Sequence, residues 1–260
     1  MSKFVDKLNR IYKSSAPALG FRKSSDETEL PSLLLVADLT KAGAKKSKGI
    51  ADREMDAAVV SSESIDDDNF KELVRSSGDV PLGLLLEEGG SQEKVQQMID
   101  AGCDFVVFGL QVPLEAINKE GLGKVLKIEP SLTPGLIRAV NELRPPIDAV
   151  LIASNAATIT IERLLTCQLF TSLLNKPILV NVNSELTSGE LNSLHETGVK
   201  GLILPEGTSL KVFAELKKTI SSLPKTPKRK TSTGVMLPHI STQPETKVEK
   251  VEEEEEEEDI

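Results

Sequence analysis

The chain has 260 residues, enough for one large domain or two small ones, with 39% hydrophobic residues, 3% aromatics and no Trp. So few aromatics argue against a base-stacking surface for single-stranded nucleic acid. Of the net charge of −9, residues 241–260 hold ten acids against two lysines, or −8, so the remainder is almost neutral and no large field marks it for nucleic acid or an acidic membrane.

Cys103 and Cys167 lie far apart without a C-x-x-C, and both fall in apolar context. They read as small core residues, neither a disulfide framework nor a zinc site. No run approaches 18 apolar residues, so no transmembrane segment is expected. The N-terminal stretch is charged and lacks the apolar region of a signal peptide, which makes the cytoplasm the expected location.

In chain order, "MSKFVDKLNRIYK" (1–13) puts Phe4, Leu8 and Ile11 on one helical stripe with Val5 and Tyr12 beside it. This amphipathic helix serves as a cap on the domain, a contact for a protein partner or second copy, or a membrane-surface anchor. Residues 14–30 read as a linker. From Pro31 short aliphatic runs alternate with helical segments. The runs are "SLLLVAD" (32–38), "DAAVVSS" (56–62), "PLGLLLEE" (81–88), "CDFVVFGL" (103–110), "KVLKIEP" (124–130), "DAVLIAS" (148–154), "PILVNVN" (177–183) and "KGLILPE" (200–206). Their near-continuous apolar character suits parallel strands buried on both faces. The helical segments include 91–102, closed by Gly102, and 188–198, closed by Gly198. A third, 133–146, runs from a Thr cap to two prolines, and 160–175 and 209–223 are the longest. The fourth connection, near 113–119, is short. Eight βα units over residues 31–223 predict a (β/α)8 barrel of α/β class. An open doubly wound sheet is the alternative, but no G-x-G-x-x-G follows the first run. Residues 224–260 read as a disordered tail with a basic knot, an apolar island "GVMLPHI" (234–240) and the final acidic run.

A barrel of this kind gathers its functional residues at the C-terminal ends of the strands. Alternation of side chains then selects Asp38, Glu87, Lys127 with Glu129, Ser154, Asn181 with Asn183, and Glu206 as inward groups. The second run offers either Ser61 with Glu63, or Ser62. Lys127 stands out, because a lone buried ammonium is costly and demands a partner. It reads either as a salt-bridged core lysine or as a nucleophile or proton donor, with Glu129, Asp38 and Glu87 as accompanying catalytic carboxylates. Gly207, Thr208 and Ser209, before the last helix, could hold a phosphate or simply cap that helix. Asp38, Glu87, Glu129 and Asn183 are oxygen donors of the type that suits Mg2+, although no dedicated cofactor motif is present. His195 and His239 read as bystanders.

Together the eight βα units, "AGCDFVVFG" (101–109), "TGVKGLILPEG" (197–207) and the glycine loop before the last helix resemble the aldolase-type, phosphate-binding TIM barrels, the group that includes indole-glycerol phosphate synthase. The resemblance implies a phosphate after strands seven and eight, at Gly189 and at Gly207, Thr208 and Ser209. Class I aldolases of that group carry their imine lysine on strand six, where this chain has Ala153 and Ser154; Lys127 is on strand five. The functional expectation is a lyase or isomerase acting on a small metabolite, with or without a phosphate, at the mouth of the barrel. The alternative is a non-catalytic barrel that acts as a scaffold or binding module through its N-terminal helix and tail.

Overall fold

The computed structural model describes residues 1–14, 30–41, 54–86, 92–154 and 158–223. Residues 15–29 of the predicted linker, the predicted tail and Glu87 lie outside the described residues.

Eight parallel strands close into a barrel in sequential order. They are β1 (Leu34–Asp38), β2 (Ala57–Ser61), β3 (Leu82–Leu86), β4 (Phe105–Phe108), β5 (Gly123–Ile128), β6 (Ala149–Ile152), β7 (Ile178–Asn181) and β8 (Gly201–Leu204). A first helix, α1 (Lys3–Ser14), precedes them. The strands are followed by α2 (Asp67–Ser76), α3 (Gln92–Asp100), α4 (Leu114–Ile117), α5 (Pro134–Ala139), α6 (Ile161–Leu173), α7 (Ser188–Glu196) and α8 (Leu210–Ser221). No helix among the described residues is long and apolar enough to cross a membrane. Extending the strand pairings once around from Asp38 returns to residue 30, eight positions earlier. That stagger is the one an eight-stranded barrel of this type requires.

The strands are aliphatic throughout because both of their faces are buried. Leu84, Val106, Leu126, Val150 and Leu202 point to the helical layer and build the larger core with Phe70, Ile137, Phe170 and Phe213. Leu34, Val36, Val59, Phe105, Val107, Val125, Leu151, Leu179 and Ile203 fill the barrel interior.

Phe4, Leu8 and Ile11 of α1 belong to that same interior cluster, and Phe4 stacks on Phe105 with ring centroids 4.4 Å apart. The helix closes the N-terminal end of the barrel. Asp104, immediately before β4, fixes its start by accepting from Ser2 Oγ (2.7 Å), Lys3 N (2.7 Å) and Phe4 N (3.0 Å). Ser2 Oγ in turn accepts from Val5 N, as a helix cap does. Two interior glycines give the aromatic pair its room. A methyl group on Gly83 would lie 2.3 Å from the Phe105 ring, and one on Gly123 2.7 Å from Ser2 Oγ and from Val5 Cγ2. Of the roles considered for residues 1–13, the structure displays the cap. Phe4, Val5, Leu8 and Ile11 are buried in the chain's own barrel, so any contact with a partner or second copy through residues 1–13 would use the opposite, polar face of the helix.

The predicted helix over 133–146 is also corrected. It stops at Ala139 because Asn141 is tied elsewhere: its side chain donates to the Leu173 carbonyl (2.9 Å) and accepts from Asn175 N (3.1 Å).

Candidate active site at the barrel mouth

With α1 across one end, the C-terminal mouth is where side chains can meet a ligand. Strand alternation decides which side chains these are. On β5, Leu126 and Ile128 face the helices while Val125 faces the interior, so Lys127 projects inward one step nearer the mouth. It is half-buried, and among the described residues it forms no ion pair. The partner expected on grounds of charge burial is therefore not among the described residues.

The other inward series end as follows. Asp38 closes β1 above Leu34 and Val36; it is half-buried, and its carboxylate accepts from Thr40 N (2.9 Å) and Thr40 Oγ1 (2.7 Å). Ser61 closes β2 above Ala57 and Val59, which resolves the choice on that strand. Its buried hydroxyl accepts from Glu63 N (3.1 Å). Asn181 closes β7 and aligns through Ile203 with Val36, one inward position below Asp38. Thus β1, β2, β5 and β7 bring a carboxylate, a hydroxyl, an ammonium and an amide to the inward face near one end.

Other expected residues lie elsewhere. Glu129 is exposed, just beyond β5. Ser154 lies past the end of β6, where Ala149 and Leu151 are the interior residues, so Ala153 continues the inward series. Asn183 is half-buried with Oδ1 accepting from Ser184 N (2.7 Å). Gly207 has φ +83°, a turn conformation glycine adopts without strain. Thr208 Oγ1 donates to the Pro205 carbonyl (2.6 Å), and Ser209 is the N-cap of α8, accepting from Val212 N (3.4 Å). On the other side of β8, Thr187 and Glu190 form a reciprocal capping box at the start of α7.

Among the described residues no three His, Cys, Asp or Glu side chains converge as a metal site. Of the proposed Mg2+ donors, the Asp38 carboxylate is turned onto Thr40, Glu129 points to solvent and Asn183 bonds its neighbour. Among the described residues these three donors do not converge on an octahedral ion, and Glu87, the fourth, lies outside them. Cys167 is a core residue and Cys103 is half-buried against the core, and burial pushes the Cys103 thiol up to about 12 and the Cys167 thiol up to about 11.

Sequence reasoning passed over Arg163. It sits in the first turn of α6, 8% exposed, and its guanidinium donates to the Asn181 carbonyl at the end of β7. Burial holds it below the ordinary arginine value. A cue was present: a cation in the first turn opposes the helix dipole, so Arg163 is misplaced unless something tertiary holds it.

No family model matches the chain, and no curated protein matches it. Solved structures do. The tryptophan synthase alpha subunit of the hyperthermophile Pyrococcus furiosus, in one mutant form, superposes with a TM-score of 0.56 at 16% identity, over 73% of this chain and 97% of that one. The same subunit studied for its entropic stabilization gives 0.55 at 16%, over 74% and 96%. A structure concerned with mutual activation of the tryptophan synthase α2β2 complex gives 0.55 at 14%, over 74% and 98%. At these identities the likeness is one of fold, and the chain shares the TIM-barrel architecture.

Proposed function

We propose that this barrel is an enzyme, a lyase or isomerase, that works on a small anionic metabolite at its C-terminal mouth in the reducing cytosol. The observation that supports this reading is Lys127, an inward ammonium at the end of β5 without an ion pair among the described residues. An ammonium partly removed from water is relieved by an anionic ligand. Held against a carboxylate or phosphate of the substrate, Lys127 would orient it and neutralise charge as it develops. Ser61 and Asn181 would supply a hydroxyl and an amide to the same ligand. Arg163 would act by holding the end of β7, and hence Asn181, in place.

The test is a thermal-shift screen of the full chain against small phosphorylated and carboxylated metabolites, with Lys127→Met alongside. Ligands should raise the Tm of the native protein, and Lys127→Met should weaken their binding about tenfold to a hundredfold, the value of one charge-assisted hydrogen bond. Borohydride trapping with carbonyl ligands then tests whether an imine forms. Full activity in Lys127→Met would end this reading.

The second reading, a non-catalytic barrel, draws on the loops after β7 and β8. Thr187 and Ser209, the hydroxyls a phosphate there would meet, cap α7 and α8 instead. A panel of metabolites that leaves both proteins unshifted favours this alternative.

A further inference from the structure

Among the described residues, five of the nine exposed large hydrophobics lie on or just after the adjoining helices α5 and α6, while Met1, Leu110, Leu114 and Leu210 stand elsewhere. Ile161, Leu165 and Leu169 stand 73%, 65% and 42% exposed along α6. At a spacing of four residues they form a single ridge of that helix. Leu136 on α5 and Leu143 just after it are each about half exposed, and α5 packs beside α6.

Charge is sparse along the α6 ridge. Between Ile161 and Leu173 the charged residues are Glu162 and Arg163, and Arg163 is buried. By contrast α8 exposes Lys211, Glu215 and Lys218. The helical jacket is also thinnest nearby, with four residues in α4 and six in α5 against nine to thirteen in α2, α3, α6, α7 and α8.

We propose that the α5–α6 face is the interface of a symmetric homodimer, with α6 packed antiparallel on α6 of a second copy about a two-fold axis at Leu165. The ridge is self-complementary, as a contact between two copies needs. Ile161 and Leu169 lie four residues, about 6 Å, on either side of Leu165. A two-fold rotation therefore sets Leu165 on its own copy and Ile161 on the partner's Leu169, as an isologous contact requires. Ridges of this spacing interlock at a crossing angle of about −50°. The rim carries both signs, Glu142 and Glu162 with Arg138 and Arg144, so no single-sign field opposes self-association. A helix of 13 residues is about 20 Å long, and with α5 beside it the face reaches the lower end of specific interfaces, roughly 1,200 Å2 in total. A micromolar dimer is the expectation. The α1 stripe cannot compete, being buried in the barrel.

The experiment is sedimentation equilibrium on the full chain from about 1 to 100 μM, a range that brackets a micromolar Kd. The native chain should show a monomer–dimer equilibrium. Leu165→Asp brings two carboxylates together at the axis and should raise Kd by roughly a hundredfold or more, with unchanged circular dichroism. In a second arm, Leu165→Cys should form a disulfide-linked dimer on mild oxidation, whereas Lys218→Cys on α8 should not. A native chain that stays monomeric throughout overturns the proposal and leaves the face to a different partner. A dimer that survives Leu165→Asp, or a Leu165→Cys chain that fails to link, overturns it as well.

Discussion

Lys200 occupies the position just before β8 at 3% exposure, and its Nζ has no hydrogen-bond partner among the described residues. Burial alone lowers its pKa from 10.5 to about 8. The difference is worth about 3 kcal/mol, at 1.36 kcal/mol per unit of pKa. The sign follows from proton counting. Between pH 8 and 10.5 the unfolded chain holds a proton that the folded chain has released, so native stability rises with pH through that window. Below pH 8 the lysine is charged in both states and the folded protein carries the whole desolvation cost. Lys200→Met keeps most of the side-chain volume and removes the charge. It should raise stability at pH 7 by up to about 3 kcal/mol, less any loss from repacking. It should also flatten the rise between pH 8 and 10. His195, fully buried nearby with both ring nitrogens unpartnered among the described residues, is itself held down by burial and then by Lys200, so its titration lies on the acid side and outside this window. The assay is urea unfolding of both proteins at pH 7 and pH 10. If the two proteins have equal stability at pH 7, and the native protein gains nothing at pH 10, Lys200 is solvated and the reasoning fails.

Two further predictions concern the barrel floor. Asp104→Ala removes the acceptor of three bonds at the start of α1 and should cost about 2 kcal/mol, the upper range for a helix cap. Hydrogen exchange at residues 3–8 should accelerate well before global unfolding; unchanged exchange there would count against the cap. Gly123→Ala forces a methyl within 2.8 Å of Ser2, Val5 and Phe105 and should destabilise by about 1–3 kcal/mol, with α1 becoming sensitive to proteases; unaltered stability and proteolysis would contradict the close packing.

The eight strands were legible because parallel strands buried on both faces read as unbroken aliphatic runs, punctuated by Gly, Pro and Asp. The direction of Lys127 was legible for a related reason. Leu126 and Ile128 require the helical layer, which leaves Lys127 to the interior. What covers an apolar stripe is a different kind of fact. The periodicity of α1 said that Phe4, Leu8 and Ile11 would be buried, but it could not distinguish a barrel floor from a neighbouring molecule. The early stop of α5 was hidden because two tertiary bonds of Asn141 override a helical pattern. That no partner of Lys127 lies among the described residues was hidden too. Charge balance argues that a carboxylate is needed, yet whether one reaches depends on how the strand ends are staggered and on local bonds such as Asp38 to Thr40.

A single backbone device recurs at the floor, and it explains why α1 and Lys200 differ from their surroundings. Before each even-numbered strand one polar residue sends its N–H to a carbonyl of the preceding strand: Asp56 to Leu35 (2.8 Å), Asp104 to Leu82 (2.8 Å), Asp148 to Lys124 (2.9 Å) and Lys200 to Ile178 (2.8 Å). For Asp56 and Asp148 the carboxylate returns the bond, accepting from Leu35 N (3.0 Å) and Lys124 N (2.8 Å). Each is a closed staple, and in each the backbone donor offsets part of the burial that raises the carboxyl pKa. Asp104 keeps the main-chain bond but turns its carboxylate to α1, so the staple becomes a socket for the helix. Lys200 keeps the main-chain bond and has no acceptor to return, so its side chain is buried without a partner. The main-chain geometry tolerates all four because it needs only the N–H. The side chain is then free to reinforce a strand pair, to hold the plug, or to remain an uncompensated charge.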